Sequence, residues 1–336
     1  MHMEVPTLKP MSRMSQRATP KRPFWHPLKR GFHRRRIGNR GTGFECFVWR
    51  GGPGPTLLLN AATHGDEYEG PTFLQELVHH WRPKGLAGTV VAVPVLHEDA
   101  FFAGRRCGES DGKNLARIFP GKPSGTRTER IAHLFRTRVL RFADYYADFH
   151  SAGACYEILP WVGYMLVEDE AILKKQRRMA QCFDRYWCWG APGLPGRTIS
   201  AAAEFGIPAI YTESIGCGTV APDDLDVLRR STTRLLKTLG LIPGRVRLNP
   251  QEITRETGDR HEAHLQWQHP APCNGLVIDP VPVGTPRKKG QPICSVQPVA
   301  GEKPIRVNAM RSGVAVIIRR QRSVKQGESL GVVIPL

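Results

Sequence analysis

Residues 56–67 read Thr-Leu-Leu-Leu-Asn-Ala-Ala-Thr-His-Gly-Asp-Glu, a hydrophobic run followed at once by ionisable side chains. Thr56–Asn60 is nearly continuously apolar, which is typical of a strand that is buried on both faces of a parallel sheet. His64 and Glu67 lie three residues apart, so both side chains can reach one point in a turn or a first helical turn. Because α/β sheets place their sites beyond the carboxyl ends of the strands, this stretch predicts a functional site.

Strand-like runs and helical apolar spacing alternate along the chain on either side of this stretch. The two patterns occur at the following segments: helical spacing at Pro71–Trp81, Arg127–Ala143, Glu168–Trp187 and Pro222–Leu239, and strand-like runs at Phe44–Trp49, Thr89–Val95, Tyr145–His150 and Ala209–Glu213. This alternation predicts an α/β domain with a mostly parallel or mixed sheet that is flanked by helices.

The pattern changes near Gly240–Pro250. From there onward, Gly and Pro interrupt short β-rich segments such as Gly275–Ile278 and Val314–Ile318, and no convincing helical spacing is present. Similar turns, Lys289–Ile293 and Gln326–Leu330, follow these two segments and indicate a weak internal duplication. We therefore predict an α/β domain over residues 41–245 and a smaller all-β domain of barrel or sandwich type over residues 246–336.

The positive charge of the chain is concentrated at its N-terminus. The net charge is +18, but residues 1–40 contain eleven Lys or Arg and one acid, Glu4. This segment is interrupted by proline and shows no helical periodicity, so we predict a basic, poorly ordered arm over residues 1–40. An alternative function for Arg34-Arg35-Arg36 is to bind a polyanion, although a nucleic acid is not the partner that the rest of the chain indicates.

Cysteine usage and hydropathy limit the class of protein. No stretch approaches the roughly 20 apolar residues of a membrane span, and the N-terminus lacks the apolar core of a signal peptide. The eight cysteines include no C-x-x-C pair, which excludes the usual cysteine frameworks for structural zinc. Scattered cysteines are typical of reduced thiols, so we predict a cytoplasmic protein with no membrane partner.

Two further strand ends add to the candidate site. Asp148-Phe149-His150 ends one predicted strand, and there Asp148 and His150 share a face. His64, Glu67 and His150 together form a set of two histidines and one carboxylate with a coordination position left open, which is the arrangement of catalytic zinc. Glu213 ends another apolar strand, where a buried charge is costly unless it is paired or functional. We predict one Zn²⁺ per chain and a proton-transfer role for Glu213.

The segment after Arg106 contributes the remaining candidates. Arg106 and Arg117 are suited to an anionic substrate, because a guanidinium pairs with a carboxylate through two hydrogen bonds. We also assign Asn114 to substrate binding. Asp148 or Asn114 is a candidate for orienting a metal-bound imidazole, and ordinary strand or loop hydrogen bonding is the alternative for both.

These motifs resemble those of the succinylglutamate desuccinylase/aspartoacylase family. The resemblance rests on residues 64–67 (His-Gly-Asp-Glu), residues 114–121 (Asn-Leu-Ala-Arg-Ile-Phe-Pro-Gly), residues 148–150 (Asp-Phe-His) and Glu213, and it spans about residues 40–240. It implies a zinc-carboxypeptidase-like fold with an additional C-terminal β-domain. By position, it implies that His64, Glu67 and His150 are the zinc ligands and that Glu213 is the general acid and base.

The resemblance also implies how a substrate is bound. Arg117 corresponds to the arginine that binds the substrate carboxylate, and Arg106 corresponds to one that helps to polarise the scissile carbonyl. The family usually has Asn-Arg where this chain has Ala116-Arg117, so one amide that binds the carboxylate is missing. An inactive metal-binding relative is one interpretation of that change.

The predicted function is a zinc-dependent amidohydrolase. It would cleave the amide bond of an N-acyl amino acid or a similar small acidic substrate, with metal-bound water as the nucleophile. Two alternatives remain open at this point. One is a metallocarboxypeptidase that acts on peptides, and the other is a polyanion-binding protein that uses the basic arm. The partner expected is the small acylated amino acid, and a homo-oligomer is compatible with the sequence.

Overall fold

A computed structural model of the chain describes residues 22–183, 186–248, 254–259, 265 and 269–335. The first ten strands, in chain order, are β1 (Gly31–Ile37), β2 (Phe44–Arg50), β3 (Gly52–Ala61), β4 (Ala87–Val93), β5 (Tyr145–Ser151), β6 (Tyr156–Ile158), β7 (Trp161–Leu166), β8 (Trp187–Pro192), β9 (Ala209–Ser214) and β10 (Thr254–Glu256). All of these except β6 form one sheet with the order β1-β2-β4-β3-β5-β9-β7-β8-β10.

The sheet is mixed, and its centre is parallel. Strand β3 pairs in parallel with β4 on one side and with β5 on the other, and β5 pairs in parallel with β9. Antiparallel pairs join β1 to β2, β2 to β4 and β7 to β9. Chain order therefore reverses at β3, and such a switch point leaves a crevice beyond the carboxyl end of the strand.

Helices cover both faces of this sheet. They are α1 (Glu69–His80), α2 (Glu98–Phe102), α3 (Arg127–Arg138), α4 (Glu170–Ala180), α5 (Thr198–Ala203) and α6 (Pro222–Thr238). Helices α1, α4 and α6 share one hydrophobic core, and α3 and α5 share another. The predicted α/β class with flanking helices is confirmed. The predicted helix at Glu168–Trp187 ends early, because the bulky Trp187-Cys188-Trp189 run begins β8.

The prediction of a poorly ordered arm is wrong for residues 31–37, and residues 1–21 lie outside the described part of the chain. Strand β1 pairs along its whole length with β2. Arg36 donates to both carboxylate oxygens of Glu98 at 2.8 and 2.7 Å and also contacts Glu45. The arginines are therefore accommodated by acids that are distant in sequence, and the buried side chains of Trp25 and Ile37 anchor the segment in the core.

The C-terminal region contains separate antiparallel sheets, as predicted. Its strands are β11 (Gly275–Ile278), β12 (Pro286–Arg287), β13 (Pro292–Pro298), β14 (Ile305–Asn308), β15 (Gly313–Arg319), β16 (Ser323–Val324) and β17 (Gly331–Ile334). One sheet has the order β14-β13-β11-β16, and the other consists of β12, β15 and β17.

The two regions are joined by strands that cross between them. Strand β6, which follows β5, pairs with β15, while β10 pairs in parallel with β8 of the nine-stranded sheet. The predicted boundary at residue 245 therefore falls before the last strand of that sheet, because hydrophobic spacing does not reveal a short added edge strand. The division into two domains stays a prediction. Within the described residues, no helix is both long and apolar enough to cross a membrane.

Deletion of residues 1–40 is expected to lower the free energy of unfolding more than deletion of residues 1–21, because the shorter deletion keeps Trp25 and Ile37. Loss of a buried tryptophan alone costs about 3 kcal/mol or more. Urea unfolding of both truncated proteins checks this expectation. Equal stability of the two would show that β1 and the preceding turn contribute nothing to the fold.

Candidate functional site

The register of three parallel strands aligns the polar side chains. Asn60 of β3 lies opposite Asp148 of β5, and His150 of β5 lies opposite Glu213 of β9. Residues that pair across parallel strands point to the same face of the sheet. Strand β3 then ends, and Ala62 adopts a positive φ of 49° that turns the chain towards His64.

The side chains of His64, Glu67 and His150 meet at one point and are buried. His64 Nδ1 lies 2.7 Å from Glu67 Oε1, and His150 Nδ1 lies 2.9 Å from Glu67 Oε2. One potential ligand atom from each residue lies within 4.8 Å of the others. The expected convergence is present, and the structure places all three side chains where a single metal ion can contact them.

The outer nitrogens of both imidazoles face oxygen acceptors. His64 Nε2 lies 3.1 Å from Asn114 Oδ1, and His150 Nε2 lies 2.9 Å from Asp148 Oδ2. Asn114 Oδ1 also accepts from the Ala116 amide at 2.9 Å, and Asp148 Oδ2 accepts from the Thr198 hydroxyl at 2.5 Å. Carboxylate and amide oxygens beside the outer nitrogen hold the proton there.

This arrangement fits a metal ion. With a proton on Nε2, a neutral ring directs the lone pair of Nδ1 at the Glu67 carboxylate, and a cation between the two is the favourable occupant. Two nitrogens and one carboxylate oxygen, with further positions open, form the donor set of catalytic zinc sites. Asn114 and Asp148 therefore each contact a candidate metal ligand, His64 and His150 respectively. These contacts are the ones that an orienting role for the two residues requires.

The protonation states of the three residues are set by burial and by one another. Burial, reinforced by the charge of Arg106, lowers the pKa of His64 to about 4. Burial alone would raise the pKa of Glu67, but both histidines outweigh it and hold that pKa well below its usual range. For His150 the carboxylates of Asp148 and Glu67 outweigh burial and raise the pKa well above 6.5. Metal binding is therefore expected to displace a proton from His150.

Glu213 lies beside His150 and lines a cavity in front of it. Burial raises the pKa of Glu213 to about 8, and the carboxylate of Glu67 adds to this, while His150, Arg106 and Arg197 oppose it. A carboxyl group whose pKa is close to neutral can both accept and release a proton.

Three arginines lie in or near this part of the site. Arg106 donates to Glu67 Oε1 at 3.1 Å and lines the cavity. Arg117 is exposed, does not line the cavity, and donates to the carbonyl of Ala116 at 2.8 Å. Arg197, which the sequence analysis missed, does line it, and its buried Nε has no hydrogen-bond partner in the described parts of the chain.

The loop that carries Arg197 is fixed against the 114–121 segment. Phe119 donates its amide to the carbonyl of Gly196, and Gly196 has a φ of 82°. A Cβ at position 196 would lie 2.3 Å from the carbonyl oxygen of Arg117, so only glycine permits this approach. No local motif marks Arg197, and its proximity arises only from the tertiary fold.

The cavity has a volume of about 690 Å³ and lies between the two regions of the chain. The nine-stranded sheet and its loops contribute one wall, and the C-terminal region contributes Ile317, Arg319, Gln321 and the 326–329 turn. The C-terminal sheets therefore form part of the candidate site.

A comparison with known proteins agrees with this geometry. A family model described as the succinylglutamate desuccinylase/aspartoacylase catalytic domain matches residues 53–239. An N-alpha-acetyl-L-2,4-diaminobutyric acid deacetylase from Halomonas elongata is 32% identical over 291 residues, which cover 85% of this chain and 84% of the relative. The chain belongs to the succinylglutamate desuccinylase/aspartoacylase family.

Solved structures support the same assignment. A succinylglutamate desuccinylase from Silicibacter sp. TM1040 is similar with a TM-score of 0.83 and 28% identity, and the similarity covers 95% of this chain and 99% of that one. The product-bound ectoine utilization protein from Ruegeria pomeroyi has a TM-score of 0.82 and 27% identity, with coverages of 92% and 97%. The predicted family is thus confirmed, and membership makes this chain a hydrolase of the deacylase type, which acts on amide bonds.

Two buried acids outside the family motifs hold the loop that follows Glu213. Glu69 Oε1 accepts from the Gly216 amide at 2.8 Å, and Asp224 Oδ2 accepts from the Ile215 amide at 3.1 Å. The Tyr186 hydroxyl lies 3.4 Å from Asp224 Oδ1. The helical patterns around Glu69 and Asp224 predict helix positions but do not reveal these contacts.

Asp224 makes the stability of this family member dependent on pH. Burial raises the pKa of Asp224 above 3.8. The folded state therefore keeps a proton that the unfolded state releases, and the free energy of unfolding falls as pH rises from about 4 through the folded pKa. Urea unfolding at pH 4 and pH 7 should show a smaller decrease for Asp224→Asn than for the wild type.

Asp226→Asn is the matched control, because Asp226 is an exposed acid of the same helix. It should keep the pH dependence of the wild type. An Asp224→Asn protein that retains the full decrease would contradict the assignment of this proton to Asp224.

Proposed function

We propose that this chain is a zinc-dependent deacylase that hydrolyses the amide bond of an N-acyl amino acid. His64, Glu67 and His150 would hold one zinc ion. The proposal rests mainly on two contacts in the protein interior, in which the Nδ1 atoms of both imidazoles approach the Glu67 carboxylate. The Nε2 atom of each ring faces an oxygen acceptor. That pattern of inner donors and outer acceptors is typical of catalytic zinc sites.

Zinc, when bound, lowers the pKa of a coordinated water and polarises a carbonyl group. Glu213 is the residue proposed to move protons. It would remove one proton from the attacking water and deliver it to the leaving nitrogen, so that the C–N bond breaks and a carboxylate and an amine are released. Its position in register with His150, together with a pKa raised to about 8 mainly by burial, supports this role.

Arg106 is the residue proposed to stabilise the oxygen of the scissile amide. Negative charge develops on that oxygen when water adds to the carbonyl carbon. Arg106 lies against Glu67 at the edge of the cavity, where its guanidinium can stabilise this charge. Loss of one such donor typically reduces turnover by about 100-fold or more.

The carboxylate of the amino acid half would be bound by arginine. Arg197 faces the cavity with an unsatisfied Nε, and Arg117 lies next to the same loop. Arg197 supplies a second candidate donor where the family's asparagine is replaced by Ala116. Substrate binding by Asn114 would be indirect, since its Oδ1 already contacts His64 and the Ala116 amide.

The similarity to an N-alpha-acetyl-L-2,4-diaminobutyric acid deacetylase over most of both chains supports an acylated amino acid as substrate, in preference to a peptide. Binding of a polyanion is less well supported, because Arg34 and Arg36 are paired with Glu45 and Glu98. We also propose a cytoplasmic location, because none of the eight cysteines, all of which lie in the described residues, forms a disulfide.

Glu213→Gln and His64→Ala are expected to separate catalysis from metal binding. The glutamine variant should keep one zinc per chain and lose nearly all turnover of N-acetyl amino acids, because an amide cannot accept the water proton. The alanine variant should lose the metal itself. Elemental analysis of the purified proteins and release of free amine provide the two measurements. Wild-type turnover in Glu213→Gln would remove this residue from the mechanism.

A further inference from the structure

The row of side chains that carries His150 and Glu213 continues across the sheet as aromatic residues. Trp161 of β7 lies directly opposite Glu213, and Trp187 of β8 lies opposite Trp161. Strands in a sheet are about 4.8 Å apart, so the first aromatic ring begins one strand away from the proton-transferring carboxyl group.

The neighbouring row repeats this change from polar to aromatic. Asp148 lies opposite Tyr211, Tyr211 opposite Gly163, and Gly163 opposite Trp189. A Cβ at Gly163 would lie 2.2 Å from the ring of Tyr211, so that ring lies against the bare backbone there. Trp161, Tyr211 and Trp189 therefore form a continuous aromatic floor, and all three line the cavity.

Two of the indole N–H groups in these rows already have hydrogen-bond partners. Trp161 Nε1 donates to the Tyr211 hydroxyl at 3.4 Å, and Trp187 Nε1 donates to the carbonyl of Leu159 at 3.0 Å. Trp161 and Trp189 are 4% and 1% exposed, so Tyr211, which is partly exposed, presents most of the ring surface of the floor to a ligand. Such surface binds apolar groups through burial of area.

The opposite wall of this part of the cavity is also apolar. It contains Ile158 of β6, Ile317 of β15 and Leu265, and the pairing of β6 with β15 holds Ile158 opposite Ile317. The charged residue next to this wall, Arg319, is buried and bonded to Glu328 at 3.1 Å and to the carbonyl of Ser323 at 2.8 Å. That arginine is committed within the fold and is not directed to a substrate.

The volume of the cavity exceeds what a small acylated amino acid needs. Cavities of about 300–1,000 Å³ enclose ligands of drug size, and this one measures about 690 Å³. An acetyl group on a short amino acid would fill only part of this volume.

We propose that this aromatic subsite binds an uncharged apolar group of the substrate, at least as large as a phenyl ring, next to the scissile amide. The inference rests on the proposed deacylase function and specifies its substrate class. The apolar group belongs either to the acyl half or to the side chain of the amino acid half, and both sources share the chemistry that the floor recognises.

The test compares kcat/KM of the zinc-loaded enzyme for five substrates: N-acetyl-L-alanine, N-acetyl-L-phenylalanine, N-benzoyl-L-alanine, N-succinyl-L-alanine and N-acetyl-L-2,4-diaminobutyrate. At least one of the two aromatic substrates should exceed N-acetyl-L-alanine by about tenfold or more, because a buried ring contributes that much to binding. Preference for the phenylalanine substrate assigns the subsite to the side chain, and preference for the benzoyl substrate assigns it to the acyl group.

Two variants alter the subsite in opposite ways. Ala191→Phe fills the cavity from β8 and should reduce kcat/KM for the preferred aromatic substrate by about tenfold or more relative to N-acetyl-L-alanine. Ile317→Ala removes part of the opposite wall and should reduce the same preference by several-fold. This second variant provides the test if Ala191→Phe does not fold. Ile305→Ala is the matched control, since Ile305 lies in β14 outside the cavity, and it should leave the preference unchanged.

The inference fails if N-acetyl-L-alanine, the succinyl substrate or the diaminobutyrate substrate is hydrolysed as well as the better aromatic one. In that result the deacylase function stands and only the subsite is rejected. An unchanged preference in both folded subsite variants would reject it equally. Hydrolysis of none of the five substrates by zinc-loaded enzyme would instead overturn the proposed function, and the subsite with it.

Discussion

Burial of the Glu67 carboxylate between two imidazole rings constrains the rest of the site. Only 1% of Glu67 is exposed, and an isolated carboxylate in that position would cost several kcal/mol. Its two oxygens lie within 3 Å of His64 Nδ1 and His150 Nδ1, and Arg106 approaches from the side. Because both rings direct Nδ1 at this carboxylate, their Nε2 atoms point outward. There the side-chain oxygens of Asn114 and Asp148 can accept a hydrogen bond from them. A metal ion bound at this point would add positive charge next to the buried carboxylate.

Strand register determines which groups can work with this centre. Glu213 shares a face with His150 only because β5 and β9 pair in parallel with these two residues opposite each other. A slip of one residue would move Glu213 to the opposite face and bury it against the core that contains Ile210. The amides of Ile215 and Gly216, bonded to Asp224 and Glu69, hold the chain directly after Glu213. The same register continues to Trp161, so the candidate metal site and the aromatic floor are parts of one sheet surface.

The sequence predicts the parts of this site that depend on local pattern. His64 and Glu67 follow a recognisable buried strand, and His150 and Glu213 each end another, so their convergence follows from the general behaviour of parallel sheets. Tertiary contacts explain what was missed. Arg34 and Arg36 have the composition of a solvated tail, yet they pair with Glu45 and Glu98. Arg197 has no motif and reaches the cavity only because Gly196 packs against Arg117.

The C-terminal region shows a similar limit of sequence pattern. Its β character and turns are evident, whereas its contribution of Ile317 and Arg319 to the cavity depends on the pairing of β6 with β15. A strand of three residues between β5 and β7 carries too little periodicity to be recognised. The proposed subsite therefore depends on a contact between residues that are more than 150 positions apart in the chain.

Zinc K-edge X-ray absorption on the purified protein would show whether His64, Glu67 and His150 bind zinc. We expect zinc to be coordinated by two imidazole nitrogens at about 2.0–2.1 Å and by oxygen ligands, without sulfur. The imidazole signal should fall by half in any His150→Ala protein that retains metal. A shell that contains sulfur, or one in which the imidazole signal is unaffected by that substitution, would contradict this expectation.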